Sequence, residues 1–133
     1  MENTDQRSNS KAMYWIGWVV GALPAVLLIM SGIFKLSGAG GEEAVREVGR
    51  LGWTTSLMGS IGILEILVAV IYLIPQTSVL GAILTTGYMG GAIATHVRIS
   101  DPFFIQLLIG ILFWVGLWLR DPRVRELIPI RKG

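Results

Sequence analysis

The sequence predicts an all-α fold: an antiparallel bundle of four transmembrane helices, with one short interfacial helix between the first and the second. Hydrophobic residues make up 53% of the 133 residues and charged residues only 15%. A soluble domain carries about 25% charged residues. The apolar residues also fall into four blocks of about 20, which is the length that an α-helix needs to cross a bilayer.

The chain divides into one membrane domain and two polar ends. We predict a disordered polar tail at residues 1–12, the membrane domain at 13–125 and a basic tail at 126–133. The first apolar block exceeds the roughly 7–15 residues of the apolar region in a secretory signal peptide, so it is interpreted as a retained helix.

The membrane domain contains four predicted transmembrane helices, at residues 13–36, 53–74, 79–97 and 103–119. The turns PQTS (75–78) and ISDP (99–102) are so short that each joins antiparallel neighbours directly. Between the first two helices, the sequence EEAVREVGRL places four apolar residues near one helical face, which predicts a short helix lying in the membrane interface. These residues are Ala44, Val45, Val48 and Leu51.

The distribution of Lys and Arg predicts the orientation, since cytoplasmic loops carry the excess of positive charge. The side with both termini holds seven of these residues: Arg7, Lys11, Arg120, Arg123, Arg125, Arg131 and Lys132. The opposite side holds four: Lys35, Arg46, Arg50 and Arg98. We therefore expect a multi-pass protein of a bacterial inner membrane with both termini in the cytoplasm.

Small residues indicate where helices can approach closely within lipid. The third helix repeats them every four residues, at Ala82, Thr86, Gly90 and Ala94. GxxxG pairs occur at Gly87 and Gly91 and, in the first helix, at Gly17 and Gly21. Two interpretations remain open: packing within one subunit, or a homo-oligomer formed through the third helix.

Glu65 lies in the middle of an apolar block, where an acidic group costs about 2.5–3.5 kcal/mol on insertion scales and therefore needs a partner. Glu65 and Tyr88 are each ten residues from the PQTS turn, so they should be level, whereas His96 lies about 12 Å further along its helix at 1.5 Å per residue. We predict that Glu65 faces the interior beside Tyr88. His96 is expected near the non-cytoplasmic surface with Lys35, Gln106 and Arg98.

These polar residues give a set of candidate ligand-binding residues: Lys35, Glu65, Tyr88, His96 and Gln106. They either form buried hydrogen bonds that fix the bundle, or line a cavity that binds a polar head group or moves a proton. One His and one Glu at different depths do not make a metal site. The basic residues form no stripe interleaved with aromatic residues, so nucleic-acid binding has no support.

Several motifs resemble the DoxX-like membrane proteins over about residues 13–125: GIFKL at the end of the first helix, GxxEIL and LIP in the second, and GYMGGAIATHVR in the third. The resemblance implies a four-helix bundle and marks Lys35, Glu65 and His96 as candidate site residues. The family takes its name from a small subunit of a thiosulfate:quinone oxidoreductase, and relatives are described as redox partners or assembly factors. This chain has no cysteine for sulfur chemistry.

Three functions are therefore considered. The first is binding of a quinone-like or lipid-like ligand within a membrane redox system. The second is an assembly or accessory subunit whose polar residues are structural, and the third is a proton or solute pathway in an oligomer. The sequence indicates no intrinsic cofactor and leaves open whether the chain is an enzyme, because no nucleophile–base pair or phosphate loop can be identified.

Overall fold

The computed structural model describes residues 2–131 and 133, and the side chains of residues 9–131. Over these residues the chain is 85% helical and contains no strand. The described residues form six α-helices: α1 (Glu2–Ser37), α2 (Gly41–Arg50), α3 (Thr55–Leu73), α4 (Ser78–Arg98), α5 (Phe104–Arg120) and α6 (Pro122–Leu127). A 3₁₀ turn, Pro75–Thr77, joins α3 to α4.

The helices end where the backbone chemistry requires it. Gly38 follows α1 and Gly41 is the first residue of α2; their φ values of 65° and 54° lie in the left-handed region that glycine adopts without strain. Pro75 follows α3 and cannot supply the N–H that would continue it. At the start of α6, the Asp121 side chain accepts a hydrogen bond from the backbone N–H of Arg123 at 3.0 Å.

Three helical segments are long and apolar enough to cross a membrane: Asn9–Ser37, Thr55–Leu73 and Pro75–Arg98. Phe104–Arg120 is a shorter apolar helix of 17 residues. Many large apolar side chains on these helices are exposed outside the bundle, which is the arrangement expected where lipid replaces water as solvent.

Glycines determine how closely the long helices approach. α1 packs against both α3 and α5, and α4 packs against the same two helices. A Cβ atom added to Gly17 would lie 2.7 Å from the carbonyl oxygen of Gly116, and one added to Gly32 would lie 2.5 Å from that of Gly62. Within the part of the chain that the structure describes, α1 and α4 make no direct backbone contact, so a space remains between them.

The structure assigns the small residues to different surfaces. The Gly17–Gly21 pair packs inside the subunit, against α5 and Tyr72. On α4, Ala82 is fully buried and Thr86 accepts a hydrogen bond from Trp114 Nε1 at 2.6 Å. Gly87, Gly90 and Gly91 have open space beside them instead.

The structure differs from the sequence prediction at both ends of the membrane domain. The helix α1 begins at Glu2, whereas residues 1–12 are predicted as a disordered tail. Extending a helix that is already nucleated costs little, even for a polar segment without an apolar face. Helix α6 was not predicted from the sequence; it occupies Pro122–Leu127 and overlaps the start of the predicted basic tail.

We expect Gly116→Ala to lower the free energy of unfolding by about 1–3 kcal/mol, because overpacking of a tight contact has that cost. The added Cβ would lie 2.6 Å from the Cα of Gly21. Thermal unfolding in a mild detergent measures the effect. Gly90→Ala is the matched control, since its Cβ enters open space, and it should be neutral or stabilising by up to about 1 kcal/mol. Equal melting temperatures for the two variants would contradict the packing described here.

Candidate functional site

A buried ion pair lies at the centre of the polar residues. The Glu65 side chain is almost inaccessible, with 3% of the residue exposed. Lys35 Nζ donates to both carboxylate oxygens, at 3.0 Å and 2.9 Å, and to Ser31 Oγ at 2.7 Å. The Tyr88 hydroxyl donates to Glu65 Oε1. The acid therefore has the cation and hydrogen-bond donors that a buried carboxylate requires.

The direction of side chains on antiparallel helices explains how Lys35 and Glu65 meet. Gly32 of α1 lies against Gly62 of α3, and each charged residue follows its glycine by three positions. The two Cα atoms are consequently displaced in opposite directions. Because Cα–Cβ bonds tilt toward the N-terminus of a helix, both side chains lean back toward the glycine contact and converge there.

His96 and Gln106 form a second polar pair between α4 and α5. His96 Nδ1 lies 2.8 Å from the carbonyl oxygen of Ala92, which can only accept, so Nδ1 carries the hydrogen. The other ring nitrogen is then an acceptor, and it lies 3.4 Å from Gln106 Nε2. Among the described side chains, Gln106 Oε1 is buried without a hydrogen-bond partner. Once Gln106 Nε2 donates to this ring nitrogen, the pair leaves one amide oxygen unused.

Both polar groups line one cavity of about 770 Å³. The cavity lies in the space between α1 and α4, which do not pack on each other. Its wall contains all five candidate residues predicted from the sequence: Lys35, Glu65, Tyr88, His96 and Gln106. The rest of the wall is mainly apolar, with residues such as Leu27, Leu28, Ile61, Leu64, Met89 and Ile109.

The sequence-based geometry is confirmed in part. Glu65 is buried beside Tyr88, and His96 is beside Gln106. The placement of Lys35 with His96 is wrong, because the Lys35 side chain reaches back along α1 to Glu65. The placement of Arg98 is also wrong, since its guanidinium donates to the Leu51 carbonyl oxygen. Ser31 was not predicted; its position four residues before Lys35 is the only available sequence signal.

The α2 segment lies beside the cavity and is held by polar contacts. Leu51 and Trp53, just after α2, belong to the cavity wall. Arg50 Nη2 lies 2.9 Å from Asp101 Oδ2, in the connection between α4 and α5. This hydrogen bond holds the pKa of Asp101 below its ordinary value of 3.8. A lowered carboxyl pKa means that the contact stabilises the fold above that ordinary value and is lost as the pH falls through the lowered one.

The fold and the cavity together define a small α-helical integral membrane protein. The chain belongs to the DoxX-like family, which matches residues 19–119, including all five candidate residues. The resemblance identified from the sequence is therefore confirmed. Among curated proteins and among solved structures, no match to this chain was found.

We expect the Lys35–Glu65 pair to be coupled in stability. Lys35→Met leaves a buried carboxylate without its cation, and removal of one partner of a buried pair costs about 3–5 kcal/mol. The loss should lie at or below the lower end of this range, because 23% of the Lys35 side chain is exposed. Adding Glu65→Gln to Lys35→Met should restore part of the lost stability, since no charge is then left unpaired.

The melting temperatures of the two single variants and the double variant in detergent measure this coupling. Lys11→Met is the matched control, because Lys11 is an exposed residue at the other end of α1, and it should change little. Additive losses in the double variant would show that the two groups do not interact.

Proposed function

We propose that the chain crosses the membrane four times as an antiparallel bundle, with α5 as the fourth span. At 1.5 Å per residue its 17 residues extend over about 26 Å, close to the roughly 30 Å of the hydrocarbon core. The contacts of α1 with α3 and α5, and of α4 with the same helices, support this arrangement. The excess of Lys and Arg at the end with both termini supports a cytoplasmic location for them, in a bacterial inner membrane.

Reporter fusions test this topology. Alkaline phosphatase is active only after export, so a fusion after Gly133 should be inactive and a fusion after Asp101 should be active. High activity of the Gly133 fusion would mean that the C-terminus is exported. Either the proposed orientation or the proposed number of spans would then be wrong.

We propose further that the cavity binds a small quinone-like or lipid-like molecule as part of a membrane redox system. The observation that carries this proposal is the cavity itself: about 770 Å³, mainly apolar, with polar groups gathered on part of its wall. Ligand pockets of this size commonly combine apolar walls with a few positioned polar groups. The DoxX-like family matches this region of the chain, which is consistent with a site in a membrane redox protein.

The polar groups suit a molecule whose oxygen atoms alternate between carbonyl and hydroxyl forms. A quinone carbonyl needs a hydrogen-bond donor, which the second N–H of the Gln106 amide supplies. A quinol hydroxyl needs an acceptor, which Gln106 Oε1 supplies, since it has no hydrogen-bond partner among the described side chains. An isoprenoid or acyl chain would fit against the apolar part of the wall.

A second function is favoured by one specific observation. Glu65 already receives hydrogen bonds from Lys35 and Tyr88, and Lys35 also binds Ser31, so this group satisfies itself without a ligand. Such a network can hold α1, α3 and α4 in register. An assembly or accessory subunit of a membrane complex would need nothing more from these residues.

Ligand-induced stabilisation distinguishes the two functions. A short-chain ubiquinone or menaquinone added to the purified protein in detergent should raise the melting temperature, because binding at a concentration of 100 Kd adds about 2.7 kcal/mol to the free energy of unfolding. Gln106→Leu should abolish most of this increase, because it removes a polar group from the cavity. Gln76→Leu is the matched control at the opposite end of the bundle, and it should keep the full increase.

The contrary result is equally specific. The accessory function replaces the ligand-binding function if two results are obtained together. Neither quinone stabilises the unaltered protein, and the protein co-purifies with a partner protein in fixed proportion while its cavity is empty. Retention of the full quinone effect in Gln106→Leu would place the binding elsewhere on the chain.

A further inference from the structure

A buried cation lies at the other end of the bundle, far from the Glu65 cavity. Arg120 is the last residue of α5, and only 9% of it is exposed. Its guanidinium carbon lies 3.7 Å from the ring centroid of Trp18 and 4.9 Å from that of Tyr72. Stacking on aromatic faces accommodates a guanidinium away from water, but it does not neutralise the charge.

The hydrogen-bond donors of Arg120 are largely unused. A guanidinium has about five N–H donors. The structure gives Arg120 one hydrogen bond, from Nη2 to Ser78 Oγ at 3.3 Å, and leaves the buried Nε without a partner among the described residues. Buried polar groups are almost always satisfied, and an exception calls for a partner that the chain does not itself provide.

No carboxylate of the described residues pairs with Arg120. The adjacent Asp121 is held by Arg123, whose Nε and Nη2 each lie 3.2 Å from a carboxylate oxygen. Arg125 also turns away and donates to the carbonyl oxygens of Trp118 and Leu119. Asp121 and Arg123 offset each other, so Arg120 has no ion-pair partner of its own among the described residues.

A cavity of about 240 Å³ lies against the guanidinium. Liquid water occupies about 30 Å³ per molecule, so the volume equals about eight waters and accommodates one tetrahedral oxyanion with its substituents. Tyr14, Trp18 and Ser78 contribute to its wall, together with Asp121, whose carboxylate is paired with Arg123. At 1.5 Å per residue, Trp18 is about 25 Å along α1 from Lys35, which places this cavity near the opposite face of the bilayer, at the depth of lipid head groups.

From the unpartnered guanidinium and the cavity beside it, we infer that Arg120 binds a phosphate oxyanion at the end of the bundle that carries both termini. Arg is the side chain best suited to such a ligand, because its planar donors match two phosphate oxygens at once. Ser78 adds a hydroxyl at the same position. The phosphate belongs either to the head group of an anionic phospholipid or to a free phosphate compound, and the two sources share this chemistry.

The test uses the full chain in an uncharged detergent and a phosphate-free buffer at constant ionic strength. Three probes are added: inorganic phosphate, phosphatidylglycerol, and diacylglycerol as the matched lipid without phosphate. We expect a phosphate-bearing probe to raise the melting temperature by several degrees and diacylglycerol to leave it unchanged. Arg120→Gln should lose this increase. Arg46→Gln, which removes an exposed positive charge at the other end of the bundle, should keep it.

Stabilisation by phosphatidylglycerol alone assigns the ligand to the lipid, and stabilisation by inorganic phosphate as well assigns it to a free anion. The inference is overturned if neither stabilises the unaltered protein, or if Arg120→Gln responds as strongly as Arg46→Gln. If Arg120→Gln fails to fold, the tryptophan fluorescence emission of the unaltered protein tests the inference instead. A phosphate-bearing probe should change this emission, and Trp18→Phe should remove the change. An emission change that persists in Trp18→Phe overturns the assignment of the phosphate site to Arg120.

Discussion

The burial of one carboxylate organises most of this molecule. Glu65 lies in an apolar helix where an unpaired charge would be too costly to retain. Lys35 must therefore come from α1 and Tyr88 from α4, and the acid holds three helices at one relative height. The glycine contact between Gly32 and Gly62 follows from the same requirement, because α1 has to approach α3 closely for a lysine side chain to reach the acid.

The packing that satisfies Glu65 also separates two polar regions. α1 lies close to α3 and α5 but leaves a space toward α4, and this space is the larger cavity. Tyr72 fills the interior below it: it is fully buried, stacks edge-on against Phe113 at 4.7 Å, and donates to the Phe113 carbonyl oxygen at 2.7 Å. Gly21 and Gly81 leave room for its ring and backbone. Arg120 lies on the other side of this tyrosine, so the two cavities are separate sites.

The sequence predicts those features that short connections determine. Counting from the PQTS turn places Glu65 beside Tyr88, because a short turn fixes the relative height of α3 and α4. No such count exists for α1, which reaches α3 through α2 and two glycine-containing turns, so the partner of Lys35 could not be found in this way. Arg120 belongs to a run of basic residues along the chain, so the sequence alone indicates that it is part of a surface tail. Only the packing of α5 against Trp18 distinguishes it from Arg123.

The ligands proposed for the two cavities differ because the charges at the cavities differ. Lys35 and Glu65 neutralise each other, so a charged molecule entering the larger cavity would have to separate a buried ion pair, at a cost that few contacts could offset. A neutral molecule with polar oxygens can instead use the Gln106 amide, whose oxygen has no hydrogen-bond partner among the described residues. Arg120 has no such counter-charge among the described residues, and an anion there removes an electrostatic penalty. These charges support the two proposals: a neutral, quinone-like or lipid-like ligand in the larger cavity and a phosphate in the smaller one.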